Sequence, residues 1–363
     1  MALPKATLWP IDPHTKAKHE ILRRYLEAWF PILNTHHQRI VYIDGFCGPG
    51  RYDGGEQGSP MIVLDAAVNH RRQLQGELVF VFIDERQDRI QHLTGELGQR
   101  SIPKHFKVHV ECGKFDEQLE DTLNKLDTQK ATLAPTFAFI DPFGFSGIPF
   151  KLIERLLKHR RCEALITFQA DAMNRFLGHP EPDVVKHIVN TFGTDQVLQV
   201  PKSHGDRITN LRTLYQSQLR TLARFVRYFE MRDRNNRVQY YLFFASNNAL
   251  GHLKMKEAMW KLDPEGEFRF SDATDPNQPV LFEADTTTPL LKLLQGQFGG
   301  KGIVSAGVVR KYVEDDTPYI QKHMTAALRV AEDSGTLKVE PKKADGSKRR
   351  ARTYPDLARM AFK

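Results

Sequence analysis

Several stretches of this chain set an acid or a run of glycines directly after an apolar segment, and these are the residues that could do chemistry. The first, RIVYIDGFCGPGRYDGGEQGSP from Arg39 to Pro60, ends its apolar run in Asp44 and continues through Gly45, Phe46, Gly48 and Gly50. A backbone without Cβ atoms can bring its N–H groups against a ligand that side chains would hold off. No Gly-Lys-Ser/Thr follows, so this is not a P-loop. A dinucleotide fingerprint would start a helix at the glycines, whereas here roughly ten residues intervene, so the ligand need not be an anion. The second stretch, VFVFIDERQDR, leaves Asp84 and Glu85 at a strand end, where an acid can accept both hydroxyls of a ribose. The third, ECGKFDE, sets Cys112, Gly113, Lys114 and Phe115 where an adenine could be sandwiched. The fourth, FAFIDPFGFSGIP, joins a carboxylate acceptor, Asp141, to the stiff Pro142 and the flat face of Phe143. TFQADAMNRF adds Gln169, Asp171, Asn174 and Arg175. A solvated strand end also accounts for Asp84, and a helix N-cap for Asp141-Pro142. It is the placement of all these residues at one edge that points to a site.

That edge requires a sheet. RIVYI, ELVFVFI, KVHVE, TFAFI and ALITF are runs of strand length, mostly separated by helical patterns, and runs apolar on both faces belong in a buried parallel sheet. The spacing predicts crossover helices at GSPMIVLDAAV, with Ser59 as N-cap and Pro60 in the first helical position, at FDEQLEDTLNKL and at IPFKLIERLLKH. Before the first strand, residues 14–33 read as a helix that buries Ile21, Leu22, Tyr25, Leu26, Trp29 and Ile32 and turns Lys16, Lys18, Arg23 and Arg24 to water. His14 and His19 lack a third metal ligand and read as surface histidines. Residues 171–223 read as a helical insertion, and FVRYFEMRDRNNRVQYYLFFASNN as an antiparallel hairpin about RNN. The expected fold is α/β, a doubly wound, mostly parallel sheet of Rossmann type with an antiparallel last strand, over residues 1–275. The segment DPEGEFRFSDATDPNQPVLFEADTTT carries the domain boundary. Beyond it, 286–363 offers three short helices and two strands about a basic turn, the pattern of a winged helix-turn-helix domain.

Composition narrows the classes of function. The chain has 363 residues and a formal net charge of +8, which favours a polyanionic partner. Part of the excess lies in KKADGSKRRAR, where Lys342, Lys343, Lys348, Arg349, Arg350 and Arg352 could follow a phosphate backbone. A solvated hairpin, or a surface that docks protein, is the other reading of that segment. Three scattered cysteines, Cys47, Cys112 and Cys162, form neither a disulfide framework nor a zinc site, which suggests a reducing, cytoplasmic setting. No stretch approaches the roughly 18 apolar residues of a membrane span. GFSG is not a nucleophile elbow, and no Ser/His/Asp set can be assembled.

The loop IDGFCGPG, the acid of VFIDE, the IDPFG edge and the terminal hairpin resemble class I S-adenosylmethionine-dependent methyltransferases. More narrowly, HTKAKHEILRRYLEAW, YIDGFCGPGRY, GSP, FIDPFG and GHLKMKEAMWKL resemble the three-Cys-motif partner family over most of Pro13 to Asp263. That family takes its name from genomic association with a radical-SAM-like protein that carries the three cysteines. The resemblance implies S-adenosylmethionine as cofactor, with Asp44, Gly45, Gly48 and Gly50 at its methionine end and Asp84 at the ribose. It also implies a transfer site at Asp141, Pro142 and Phe143, where Phe143 or Phe145 holds the substrate plane. In amino-methyltransferases the aromatic of D-P-P-Y stands one place later, where this chain has Gly144. The expectation is a methyltransferase acting on nucleic acid, DNA more than RNA, in DNA modification or repair with that partner. A non-catalytic nucleic-acid-binding adaptor on the same fold is the alternative.

Overall fold

A computed structural model describes residues 4–144, 147–200, 207–273 and 285–363. Its contacts form two compact units, Met1–Gly251 with Arg269–Pro276 and His252–Phe268 with Asn277–Lys363. The first unit contains α1 (Pro13–Asn34), β1 (Arg39–Asp44), α2 (Ser59–Val68), β2 (Glu77–Asp84), α3 (Gln87–Gly98), β3 (Phe106–Cys112), α4 (Phe115–Gln129), β4 (Thr136–Ile140), α5 (Phe150–Lys158) and β5 (Cys162–Phe168). Next come α6 (Ala170–Phe176), α7 (Pro182–Phe192), α8 (Arg207–Leu222), β6 (Phe225–Arg232) and β7 (Val238–Ser246). The chain then passes through α9 (Ala249–Leu262) and returns to the first unit in β8 (Arg269–Ser271).

The eight strands lie in the order β3-β2-β1-β4-β5-β7-β6-β8. β1 to β5 are mutually parallel, and β7 runs antiparallel to both β5 and β6. This is the mostly parallel α/β sheet with an antiparallel late strand that the apolar runs predict. β8, three residues long and paired parallel to β6, carries no such signal. The strand order reverses between β1 and β4, the place where open α/β sheets accept ligands at their carboxyl ends. Gly58, not Ser59, caps α2, which moves Pro60 one position into the first turn, still ahead of any N–H the helix needs.

α1 buries the apolar stripe through Trp29 and also Phe30, but Ile32 stays half-exposed. Its contact with the sheet is fixed by one buried carboxyl group. Glu163 of β5, buried, accepts hydrogen bonds from the Tyr25 hydroxyl (2.6 Å), the Trp29 indole (2.8 Å) and the Ser246 hydroxyl of β7 (2.5 Å). Gly251 lets the chain pass here, because a Cβ on it would stand 2.2 Å from the Glu163 carboxylate. Lys18, His14 and His19 are buried as well, against the expectation that they face water. The helix is covered on more of its circumference than its apolar stripe.

The second unit contains residues 252–262 of α9, α10 (Thr287–Phe298), β9 (Val304–Ser305), α11 (Ala306–Asp316), α12 (Gln321–Asp333), β10 (Leu337–Lys343) and β11 (Ala358–Phe362). Its strands form an antiparallel sheet in the order β10-β11-β9 over a core of Leu294, Val309, Val313, Leu328 and Met360. Residues 252–268 fall in this unit, whereas the sequence reading counts them with the first domain, 1–275. The reason is chemical: Lys256, fully buried, donates to the carbonyls of Val313 (3.0 Å), Glu314 (2.8 Å) and Thr317 (2.8 Å), and the Trp260 indole donates to that of Pro318 (2.8 Å). The ammonium thereby satisfies carbonyls that the end of α11 leaves open. Among the described residues no helix is long and apolar enough to cross a membrane.

Replacing Glu163 by Gln turns one of its acceptor oxygens into a donor that faces other donors. The expected loss is about 1–3 kcal/mol in urea unfolding. Replacing Lys256 by Met strands three carbonyls and is expected to lower the unfolding midpoint of the second unit while the sheet unit keeps its own.

Candidate active site

The carboxyl ends of β2, β1 and β4 are neighbours in the sheet, so Asp84, the glycine loop after Asp44, and Asp141 open on one edge. The loop reaches β2 directly: the Gly48 N–H donates to Asp84 Oδ2 (3.1 Å). Asp84 also accepts from the Arg86 N–H at Oδ1 (2.9 Å) and lies 3.5 Å from the guanidinium of Arg89, which is 2% exposed. Its carboxylate is thus engaged at both oxygens by protein groups. Glu85 points into solvent.

Two of the loop glycines leave room for the protein itself. A Cβ at Gly45 would sit 2.6 Å from the ring of Phe115, and one at Gly50 2.8 Å from Leu93, with Gly50 also at φ +83°. Phe115, which the sequence suggests as one wall of an adenine slot, is a buried partner of the loop, 5.8 Å from the ring of Phe46. Gly48, at φ +63°, faces the indole of Trp9 at 3.5 Å from its absent Cβ.

Asp44 is fully buried beside the loop. It accepts from the Phe46 N–H (3.3 Å) and the Tyr42 hydroxyl (3.4 Å). Burial, helped by nearby Asp141, pushes its carboxyl up to about 7 against the pull of the Ser59 hydroxyl, the Phe46 N–H and Lys18. Asp141 is engaged by Lys18, whose ammonium also lies 5.3 Å from the Tyr240 ring centre. The Lys18 side chain is 6% exposed and that of Asp141 17%, so the carboxylate keeps one reachable edge. His19, fully enclosed, is held down to about 3, first by burial and then by Lys18, against the attraction of Asp141. His14 places Nδ1 2.8 Å from Asp272 Oδ2.

The sequence missed Lys18, His14 and His19 because helical periodicity registers apolar stripes, and only the HTKAKH spelling marks them. Pro142 is buried, its carbonyl accepting from the Gln169 amide (3.1 Å), and Phe143 is half-buried, 5.9 Å from Trp9. Phe145 lies outside the described residues. Asp171 and Arg175 pair with each other along α6. In the second unit, Arg349 turns inward to Glu332 (2.5 Å) with its side chain 7% exposed, which removes it from any phosphate-facing set. Arg352 pairs with Asp333, and Lys342, Lys348 and Arg350 are on the surface.

These buried acids and bases fix two opposite pH slopes. Asp44 binds its proton more tightly folded than unfolded, where the value is 3.8, so its contribution is complete below pH 4 and is lost as pH rises through about 7. His19, ordinarily at 6.5, contributes above that pH and loses its contribution as pH falls toward about 3. In urea titrations Asp44→Asn should gain on the parent as pH rises from 5 to 8, and His19→Gln as pH falls from 7 to 4. Each relative slope should be about 1 kcal/mol per pH unit.

No family model and no curated protein matches this chain. Among solved structures it is similar to protein LPL1258 of Legionella pneumophila, at 14% identity over 65% of this chain and 85% of that one, TM-score 0.38. A putative O-methyltransferase of Klebsiella pneumoniae aligns at 11% identity over 66% and 92%, TM-score 0.35. Trm1 of Pyrococcus horikoshii, solved with S-adenosyl-L-methionine, aligns at 14% identity over 100% and 95%, TM-score 0.39. Scores this low mark a distant likeness and carry no residue role across.

Proposed function

We propose that this chain is an S-adenosylmethionine-dependent methyltransferase acting on nucleic acid. The observation that carries the reading is the convergence of the glycine loop, Asp84 and Asp141 on adjacent strand ends at the point where the sheet order reverses. The residue types fit an adenosyl cofactor. Asp44 and the backbone at Gly48 suit its methionine end, and Asp84 the ribose diol once its internal donors are exchanged. The bound cofactor would supply an electrophilic methyl group on a sulfonium. The chain's own part is placement. Asp141, oriented by Lys18, accepts an N–H of the substrate amine at its reachable edge, and Phe143 holds the substrate plane. A base in a duplex must flip out to reach this edge at a cost of a few kcal/mol, which favours single-stranded or damaged substrate.

The second unit supports the nucleic-acid half of the proposal. Helices α10 to α12 followed by the β10–β11 hairpin have the order of a winged helix, with Lys342, Lys348 and Arg350 on the wing. DNA is the proposed polymer, a radical-SAM-like three-Cys-motif protein the proposed companion, and the cytoplasm the proposed setting. The adaptor reading has its own support: Asp84 is engaged at both oxygens by the protein, and Trp9 lies against Gly48.

Calorimetry with S-adenosylmethionine and S-adenosylhomocysteine, followed by transfer of labelled methyl to single-stranded DNA and RNA, tests the enzyme. Asp141→Asn, which keeps a partner for Lys18, is expected to lower transfer at least about a hundredfold while binding to nucleic acid is unchanged. Full activity in that variant would refute the assignment of Asp141. Removing Lys342, Lys348 and Arg350 together should flatten the log-affinity against log-salt slope by about 3 if the wing lies on duplex phosphates. An unchanged slope would remove the wing from the interface.

A further inference from the structure

The segment ahead of α1 is laid across the glycine loop and tied down along its length. The Pro4 carbonyl accepts from Arg86 (2.7 Å) and Arg89 (3.1 Å), the Thr7 hydroxyl donates to Asp88 (2.5 Å), and the Trp9 carbonyl accepts from the Asp53 N–H (3.2 Å). The Trp9 ring stands over the Arg89 guanidinium (4.7 Å) and edge-on to Tyr52 (5.6 Å) and Phe143 (5.9 Å). Arg89, drawn into this stack, is the same group that faces the Asp84 carboxylate. Trp9 and Arg89 thus stand among Asp84 after β2, the Gly48 turn after β1 and Phe143 after β4.

We propose that residues 4–12 form an intrasteric strap, with Trp9 occupying the place a flat adenosyl ligand needs, so that ligand binding and strap docking exclude each other. The inference rests on the adenosyl-cofactor reading of the site. Three features argue for competition over closure on top of a bound ligand. The Trp9 ring stands on the open side of Gly48, 3.5 Å from where a Cβ on that glycine would be, at the loop position whose bare backbone a ligand would use. The Trp9 ring also stands edge-on to Phe143 (5.9 Å), the ring assigned to the substrate plane. The strap is also held through Arg89, which must move for Asp84 to receive a ribose. The strap's anchors are a few hydrogen bonds and one cation–π contact on a segment outside the sheet core, the kind of element that opens locally without global unfolding. A ligand that binds only the open state has its affinity reduced by the open fraction, so a strap docked about nine-tenths of the time costs about tenfold.

The test uses the full chain and S-adenosylhomocysteine as probe. Trp9→Ala is expected to bind it about tenfold more tightly than the parent by calorimetry, with an unchanged far-ultraviolet spectrum. In the parent, the probe should speed hydrogen exchange at the Asp53 amide, which the strap protects. Thr7→Val, which cuts one anchor without touching the hollow, should shift affinity in the same direction and serves if Trp9→Ala melts early. Equal or weaker binding by the variants, with the parent binding well, overturns the strap and leaves the cofactor reading standing. Absence of binding by the folded parent and both variants overturns the cofactor reading, and the strap with it.

Discussion

An ammonium group cannot be left alone in a protein interior, and the pairing of Lys18 with Asp141 is the constraint on which the site is built. It joins a helix that precedes the sheet to the end of a strand in its middle. Because Glu163 holds the same helix further along through Tyr25 and Trp29, α1 is fixed at two depths by carboxylates of two adjacent strands, β4 and β5. With the helix pinned, its first residue, Pro13, fixes where the preceding segment leaves, and that exit lies beside the glycine loop.

The three acids at this edge carry the same functional group and differ by surroundings alone. Asp44 sits deepest and is pushed toward neutrality by burial. Asp84 is saturated by backbone donors and a guanidinium. Asp141 has a single cation on one side and access on the other. Burial, backbone donors and a lone cation thus give one functional group three different environments along a single sheet edge.

Much of the architecture was legible because two-faced apolar runs have one stable home, a covered parallel sheet, and RNN between two strand patterns leaves little choice but a hairpin. The candidate site was legible as a line of strand ends, since the acid or glycine closing each apolar run stands in plain order along the chain. Three things were not. The polar side of α1 carries no periodic signal, so Lys18, His14 and His19 looked solvated although the sheet edge covers them. Glycines announce a close approach without saying by what, and at Gly45 and Gly50 the visitors are Phe115 and Leu93. The segment before α1 has no pattern at all. Its order comes from arginines on another element, Arg86 and Arg89, which no local reading connects to Pro4.

Lys256 has a last consequence for how this polypeptide can be divided. The composition shift after Asp263 invites a cut between two independent pieces, yet the ammonium of Lys256 and the indole of Trp260 find their acceptors at residues 313–318. A fragment ending in that low-pattern stretch would carry α9 away from the carbonyls at 313–318 that accept from its ammonium and its indole, and would present a sticky helix to its neighbours. The natural seam runs at Gly251, inside a stretch that reads as one uninterrupted helix.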